Sequence, residues 1–329
     1  MAQYINVSTA HGPMKFAYWV DTPSGSSTID PSIPTILFLH SLWVPGFSWR
    51  EQFSRPQFRR FNCVAVDLMD HGWTETEVPE TYSQEDAAAD VAAWMDAMAL
   101  PPVFICALSS GSTTAIQLAV TEPKRVLGMF LFSHMGTEET EHAGTARQEI
   151  VDTWKEAMAN PSGEIDEEAL EHAISGIFQL SLTGQIKPVS LIMAFLTRKL
   201  CVERWGHKRL RELQVVCCDF DVKRHGHSTE VLATSLRNIP IALLHGSGDF
   251  AYDAEYYDRF AQQLREANIP VETHAFDGAP HNLHVSHQDE FAELAGEFFA
   301  RHCPNPNTWH QQLKPWRGSC RRSLTRYST

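Results

Sequence analysis

The segment "PVFICALSSGSTTAIQLAV", Pro102 to Val120, runs from a β-forming apolar stretch straight into an Ala/Thr/Leu-rich helical pattern, with no linker. Consecutive apolar residues without alternation mark a strand covered on both faces, and a strand feeding a helix directly is the repeating unit of a parallel sheet. The joint, "ALSSG", constrains the chain further. A sharp bend brings the residues two before and two after its apex together, so both must be small. Ala107 and Gly111 satisfy this around Ser109, whereas an apex at Ser110 would put Leu108 in that position. Such an apex is held at positive φ, costly for any residue but glycine. The strain has a use if it lifts the Ser109 oxygen clear of the sheet at a helix N-terminus, where backbone N–H groups face a developing anion. A plain N-cap role for Ser109 or Ser110 is the other reading of the joint.

The rest of the chain repeats the unit. "QYINVST" and "KFAYWVD" alternate like opening antiparallel strands, and "PTILFLHS" and "FNCVAVDL" read as buried ones. Between that second pair, "SWREQFSRPQFRRF" supplies a crossover helix with one turn broken or started by Pro56. "SQEDAAADVAAWMDAMAL" is a helix capped by Ser83. After the strand "VLGMFLFSH" the alternation stops, and residues 135–236 give helical segments without a clear strand. It resumes with "IPIALLHG", "DAEYYDRFAQQLREAN", "VETHAF" and "HQDEFAELAGEFFARH". The expected fold is α/β: a mostly parallel, doubly wound sheet from residues 1–134 and 237–303, with 135–236 inserted as a helical cap. Residues 304–329 form a basic tail without an acidic residue, expected to be solvated or to lie on the acidic body.

A net charge of −13 argues against general affinity for nucleic acid or anionic membrane. Seven irregularly spaced cysteines do not make a disulfide framework, and adjacent Cys217 and Cys218 read as buried thiols. "MAQYINVSTAHGPMKF" lacks the charged start and apolar core of a secretory signal, and no apolar run approaches the roughly 20 residues that cross a bilayer. A soluble cytoplasmic protein acting on a small molecule is the expectation.

Serine at neutral pH needs a base before it can act as a nucleophile. "FDGAPHNLHVSH" follows the last expected strand, and His281 comes first after its turn, with His284 and His287 at intervals of three. That spacing also describes a helical face or a metal site, but no carboxylate or cysteine pattern accompanies it, so no metal is expected. The base in turn needs a carboxylate to fix its tautomer. Asp249, in "LLHGSGDFAYD", lies nearest its strand end, ahead of Asp253 and Asp277. Ser109, Asp249 and His281 would then emerge together at the C-terminal edge of the sheet, where open α/β sheets bind ligands.

The order Ser, Asp, His, with the elbow and the inserted cap, resembles the α/β-hydrolase fold family over roughly residues 3–302. "LFLHSLWVPGFSW" is similar to the family's strand ending in His-Gly, with Ser41 in place of the glycine. The resemblance implies oxyanion donors in the N–H groups of Leu42 and Ser110. "VAVDLMDHGWTET" resembles the family's Asp-x-x-Gly-His-Gly-x-Ser segment, with Asp70 and Thr74 replacing its first glycine and its serine. Serine at the apex, where related dehalogenases and epoxide hydrolases carry aspartate, implies acyl transfer without a cofactor. The expected substrate is an ester, thioester or lactone of a bulky, mostly apolar molecule. Trp43 and His134 are expected to line its pocket, with Trp49 and Trp73 near the entrance. Carbon–carbon bond hydrolysis, cofactor-free dioxygenase or lyase chemistry, and a non-catalytic binding protein use the same scaffold and remain as alternatives. An apolar cap face can cover the pocket or a second copy of the chain, so a homodimer is among the expected arrangements.

Overall fold

The computed structural model of the chain describes residues 2–182 and 188–303. The basic tail lies outside them. Eight strands form one sheet: β1 (Gln3–Thr9), β2 (Gly12–Asp21), β3 (Thr35–Leu39), β4 (Asn62–Val66), β5 (Val103–Leu108), β6 (Val126–Phe132), β7 (Ile241–Gly246) and β8 (Val271–Phe276). Their spatial order is β1-β2-β4-β3-β5-β6-β7-β8. The β1–β2 and β2–β4 pairs are antiparallel and every other pair is parallel.

The continuous apolar strands serve two cores, because successive side chains leave a strand on opposite faces. Leu37, Leu39, Ile105 and Ala107 join the core under the helices Gln84–Ala97 and Ser110–Thr121. Ile36, Phe38, Phe104 and Cys106 pack on the other face with Phe291, Phe298 and Phe299 of the helix Gln288–His302. Ser83 caps the helix Gln84–Ala97 as part of a reciprocal box with Asp86.

The crossover between β3 and β4 differs from the expectation. It holds a 3₁₀ turn, Gly46–Trp49, and a single α-turn, Arg50–Phe53, with irregular turns from there to β4. Pro56 has no N–H to continue the helix, and the chain turns so that Trp49, Phe53, Phe58 and Phe61 all reach the core.

Between β6 and β7 stand the helices Glu141–Ala157, Glu167–Leu182, Pro188–Arg204, Leu210–Gln214 and Thr229–Ser235. The last packs against Ser110–Thr121 and Ala254–Glu266 beside the sheet. The others sit over the C-terminal strand ends, anchored by polar contacts. Asp70 holds Arg209 (2.7 Å) and Trp205 Nε1 (2.9 Å), and Arg211 donates to the carbonyls of Val78 and Pro79. Among the described residues, no helix is long and apolar enough to cross a membrane.

Candidate active site

Ser109 sits at the joint of β5 and the helix Ser110–Thr121 with φ 52° and ψ −122°. A Cβ on Gly111 would lie 2.6 Å from the His40 carbonyl oxygen and 2.7 Å from that of Leu39, so this position admits glycine alone. Strain gathers at this rim. Of six non-glycine residues with positive φ among those described, Trp43, Asp70, Ser109 and Ser133 each follow the end of one of β3, β4, β5 and β6.

Past β7, Asp249 Oδ2 accepts a hydrogen bond from His281 Nδ1 at 2.7 Å. The Tyr257 hydroxyl donates to the same oxygen at 2.5 Å, while Oδ1 accepts from the N–H groups of Ala251 (2.9 Å) and Tyr252 (3.3 Å). Burial pushes the Asp249 pKa up, but the neighbouring His281 and the donated hydrogen bonds outweigh it and hold the carboxyl below its usual value. The two loops meet because Gly246 lies against the 279–280 backbone, where a Cβ would fall 2.0 Å from the Ala279 carbonyl oxygen. Of the other carboxylates considered, Asp253 caps its own helix and Asp277 takes the Ser247 hydroxyl.

Two links through the end of β6 place Ser109 and His281 at one rim. The Ser109 N–H donates to the Phe132 carbonyl (3.2 Å), and the Ser133 hydroxyl donates to the His281 carbonyl (2.5 Å). The Ser109 hydroxyl itself turns to Met135 Sδ at 3.1 Å, and among the described residues no hydrogen bond joins it to His281. Met135 Sδ also lies 3.8 Å from the Tyr252 hydroxyl, and the Tyr252 ring packs on His281 at 5.9 Å between centroids. The methionine thus covers the serine beside the imidazole.

Ser110 opens the helix Ser110–Thr121, whose leading N–H groups have no intrahelical acceptor. Leu42 and Ser110 line one small cavity together with His40 and His71. His40 braces this loop. Its Nδ1 donates to the Ser41 carbonyl and its Nε2 accepts from the Leu68 N–H, and burial together with the neighbouring His71 lowers its pKa to about 3. A neutral His40 is therefore a cross-link between the loops after β3 and β4, outside proton transfer.

Sequence reasoning missed a buried polar cluster on the cap side of Ser110. The Ser110 hydroxyl donates to Asp221 Oδ2 (2.7 Å), which also pairs with Arg147 (3.0 Å). Arg147 continues to Glu139 and the Tyr252 hydroxyl, both at 3.0 Å, and Glu139 pairs with Arg224 at 2.9 Å. Arg224 reaches the Tyr256 hydroxyl at 2.7 Å. Nothing in the local pattern around Asp221 marks it, since its role depends on how the cap sits over the elbow. The Tyr-rich start of "DAEYYDRF", which puts Tyr257 in the first turn of the helix after Asp249, was a readable signal for Tyr257.

The remaining expected residues fall in different places. Trp43 is buried between Trp154 and Trp205 of the cap and lines a cavity with Leu108, Asn282 and His284. His134 turns away from Ser109 and packs against Tyr257 and Phe260, where burial and the neighbouring His245 lower its pKa to about 3. Trp49 is a core residue, and the half-buried Trp73 packs on Trp19 and Phe47. His284 is buried against Trp49 and Phe132, while His287 bonds Ser286. Among the described residues, no three metal-ligating side chains gather.

A sheet of this order with a serine elbow after β5, an acid after β7 and a histidine after β8 defines a class. A sequence model of the Alpha/beta hydrolase family matches residues 36–294, and the chain belongs to that family. A thermophilic esterase from Thermogutta terrifontis superposes with a TM-score of 0.68 at 16% identity, over 92% of this chain and 99% of that one. The enol-lactonase from Burkholderia xenovorans gives 0.64 at 15%, over 90% and 99%, and the carboxylesterase CesB from Bacillus subtilis 0.66 at 14%, over 91% and 92%. At these identities the likeness is one of fold. Two curated proteins share shorter regions. A dihydrolipoyllysine-residue acetyltransferase component of an acetoin cleaving system from Cupriavidus necator is 30% identical over 110 residues, and a haloalkane dehalogenase from Mesorhizobium japonicum 33% over 98. These regions are 33% and 29% of this chain, and 29% and 30% of those proteins.

Proposed function

We propose that the protein is a serine hydrolase that cleaves an ester, thioester or lactone bond of a small, largely apolar molecule through an acyl-enzyme. The observation that carries the reading is the 2.7 Å hydrogen bond from His281 Nδ1 to the buried, ionised Asp249. It leaves Nε2 as the lone-pair nitrogen, the tautomer a general base requires. Once the Ser109 hydroxyl leaves Met135 and faces His281, Nε2 takes its proton as Oγ attacks the carbonyl carbon. The N–H groups of Leu42 and Ser110 receive the oxyanion. The intermediate then expels the leaving group, which takes the proton back from His281. Water attacks the acyl-serine as His281 removes its proton, and collapse releases the acid and restores Ser109. The esterases and lactonase that share the fold agree with this chemistry. A fluorophosphonate probe tests it: the wild type labels and S109A does not. Labelling that survives in S109A removes Ser109 as nucleophile.

A further inference from the structure

We propose that Phe220 sets the length of the acyl group this enzyme accepts, by closing the acyl chamber at a stacked Phe220–Tyr82 gate. The inference rests on the serine-hydrolase reading above. Two cavities flank the elbow. One is bounded by Trp43, Leu108, Asn282 and His284, and so follows the loop that carries His281. The other is bounded by Leu42, Met69, His71, Ser110, Tyr82 and Phe220, on the side of the N–H groups assigned to the oxyanion. An ester seated on those N–H groups must turn its leaving oxygen toward His281, which protonates it as the C–O bond breaks. The alcohol half then runs along the His281 loop, and the acyl half enters the chamber beside Leu42 and Ser110.

That inner chamber measures about 20 Å³. On the scale of space open to the centre of a water-sized sphere, about 10–15 Å³ already holds one water, so the chamber takes little beyond an acetyl methyl group. A polar cleft of about 110 Å³, open to the surface and lined by Ser83, Glu85, Asp219, Lys223 and His225, lies behind it, and Tyr82 and Phe220 line both. Their rings stack at 5.8 Å between centroids with planes 30° apart. The wall between chamber and cleft is therefore one aromatic pair. Its halves are held differently. The Tyr82 hydroxyl donates to Asp90 Oδ2 at 2.9 Å on the helix Gln84–Ala97. Phe220 belongs to the cap, its side chain held by packing alone, directly after a π-helical turn at Val215–Asp219. Such turns recur at functional sites because the widened backbone re-aims a side chain. Phe220 is the half that yields, and its size decides whether chamber and cleft communicate.

The test is hydrolysis of p-nitrophenyl acetate, butyrate and octanoate by the full chain and its F220A and F220W variants, with active sites counted by fluorophosphonate. The octanoate-to-acetate ratio of kcat/KM is expected to rise roughly tenfold or more in F220A and to fall below wild type in F220W. A ratio within about twofold of wild type in F220A, with acetate still cleaved, overturns the gate. If F220A does not fold, F220W decides, and an undiminished ratio overturns it. Methyl, benzyl and naphthyl acetates are expected to keep their relative rates in the same variants. A shift there with a flat acyl series overturns the assignment of the chamber to the acyl half. A wild type that neither labels nor cleaves any of these esters removes the serine-hydrolase reading, and this inference with it.

Discussion

Replacing Asp249 by asparagine changes one atom, and the surrounding donors dictate where the new amide points. Oδ1 of Asp249 accepts the N–H groups of Ala251 and Tyr252. Two backbone donors select the amide oxygen for that place, since an NH₂ there would face both N–H groups. The NH₂ is then forced into the Oδ2 position, 2.7 Å from His281 Nδ1. There it donates to the ring, so Nδ1 becomes the acceptor and the proton moves to Nε2. The nitrogen that must receive the Ser109 proton is then occupied. A tautomer reversal of this kind lowers kcat by about 10⁴, equivalent to about 5 kcal/mol of transition-state stabilisation. D249A removes the amide donor and frees the ring to take either tautomer, so it is expected to stay faster than D249N. It is also expected to be less stable, because the Tyr257 hydroxyl and two N–H groups lose their acceptor, at about 1–3 kcal/mol each where buried. The assay is p-nitrophenyl acetate hydrolysis under single-turnover conditions, beside thermal unfolding of each variant. D249N within about tenfold of wild type would show that Asp249 does not set the tautomer. D249N slower than D249A but more stable than it is the expected signature, since the amide keeps the acceptor for the two N–H groups and only the Tyr257 hydroxyl loses its own.

Two further outcomes follow from buried groups near the rim. M135L keeps the volume of the side chain over Ser109 but removes the sulfur that accepts its hydroxyl. Fluorophosphonate labelling is expected to speed up about 2–10-fold, from a hydrogen bond worth about 0.5–1.5 kcal/mol, and slower labelling would contradict the covering role. Asp70 is an acid whose folded pKa is raised to about 6 by burial, against the pull of Arg209 and Arg204. The folded state therefore binds its proton more tightly than the unfolded state, and its contribution to stability falls as pH rises from about 4 to about 6. The stability of wild type relative to D70N is expected to drop by about 3 kcal/mol across that window in urea titrations, and a flat difference would refute the assignment.

The sheet was legible because each buried strand announces itself locally, and the elbow because Ala107, Ser109 and Gly111 meet a steric rule confined to five residues. Asp249 and His281 were legible for a related reason: a residue just past a strand end has few places to go. The expected crossover helix failed at Pro56, where the need to bury four aromatics overrode a helical period. His134 failed through a single dihedral. Ser133 has φ 44°, and that turn sends His134 back onto Tyr257 and Phe260 while Met135 comes to lie on Ser109. Asp221 and Phe220 carried no local sign, since their neighbours are set by the seating of the cap.

That seating poses its own physical problem. Apolar cap helices can slide on an apolar core at small cost, because hydrophobic contact has little direction. Arg147, Arg224, Glu139 and Asp221 form a charge-balanced cluster, tied to the core through Ser110, Tyr252 and Tyr256. Against apolar residues of the same volume, such buried pairs add little or nothing to stability. A shifted cap would keep those pairs, since all four residues are its own, but would break the Ser110–Asp221, Arg147–Tyr252 and Arg224–Tyr256 hydrogen bonds and leave buried charged groups short of partners, at about 1–3 kcal/mol each. The cluster therefore selects one register of cap on core far more sharply than it stabilises that register. The selected register is the one in which Asp221 grips Ser110, the residue after Ser109, and its neighbour Phe220 meets Tyr82. An apolar replacement of the cluster should accordingly keep the protein folded and lose its discrimination between substrates.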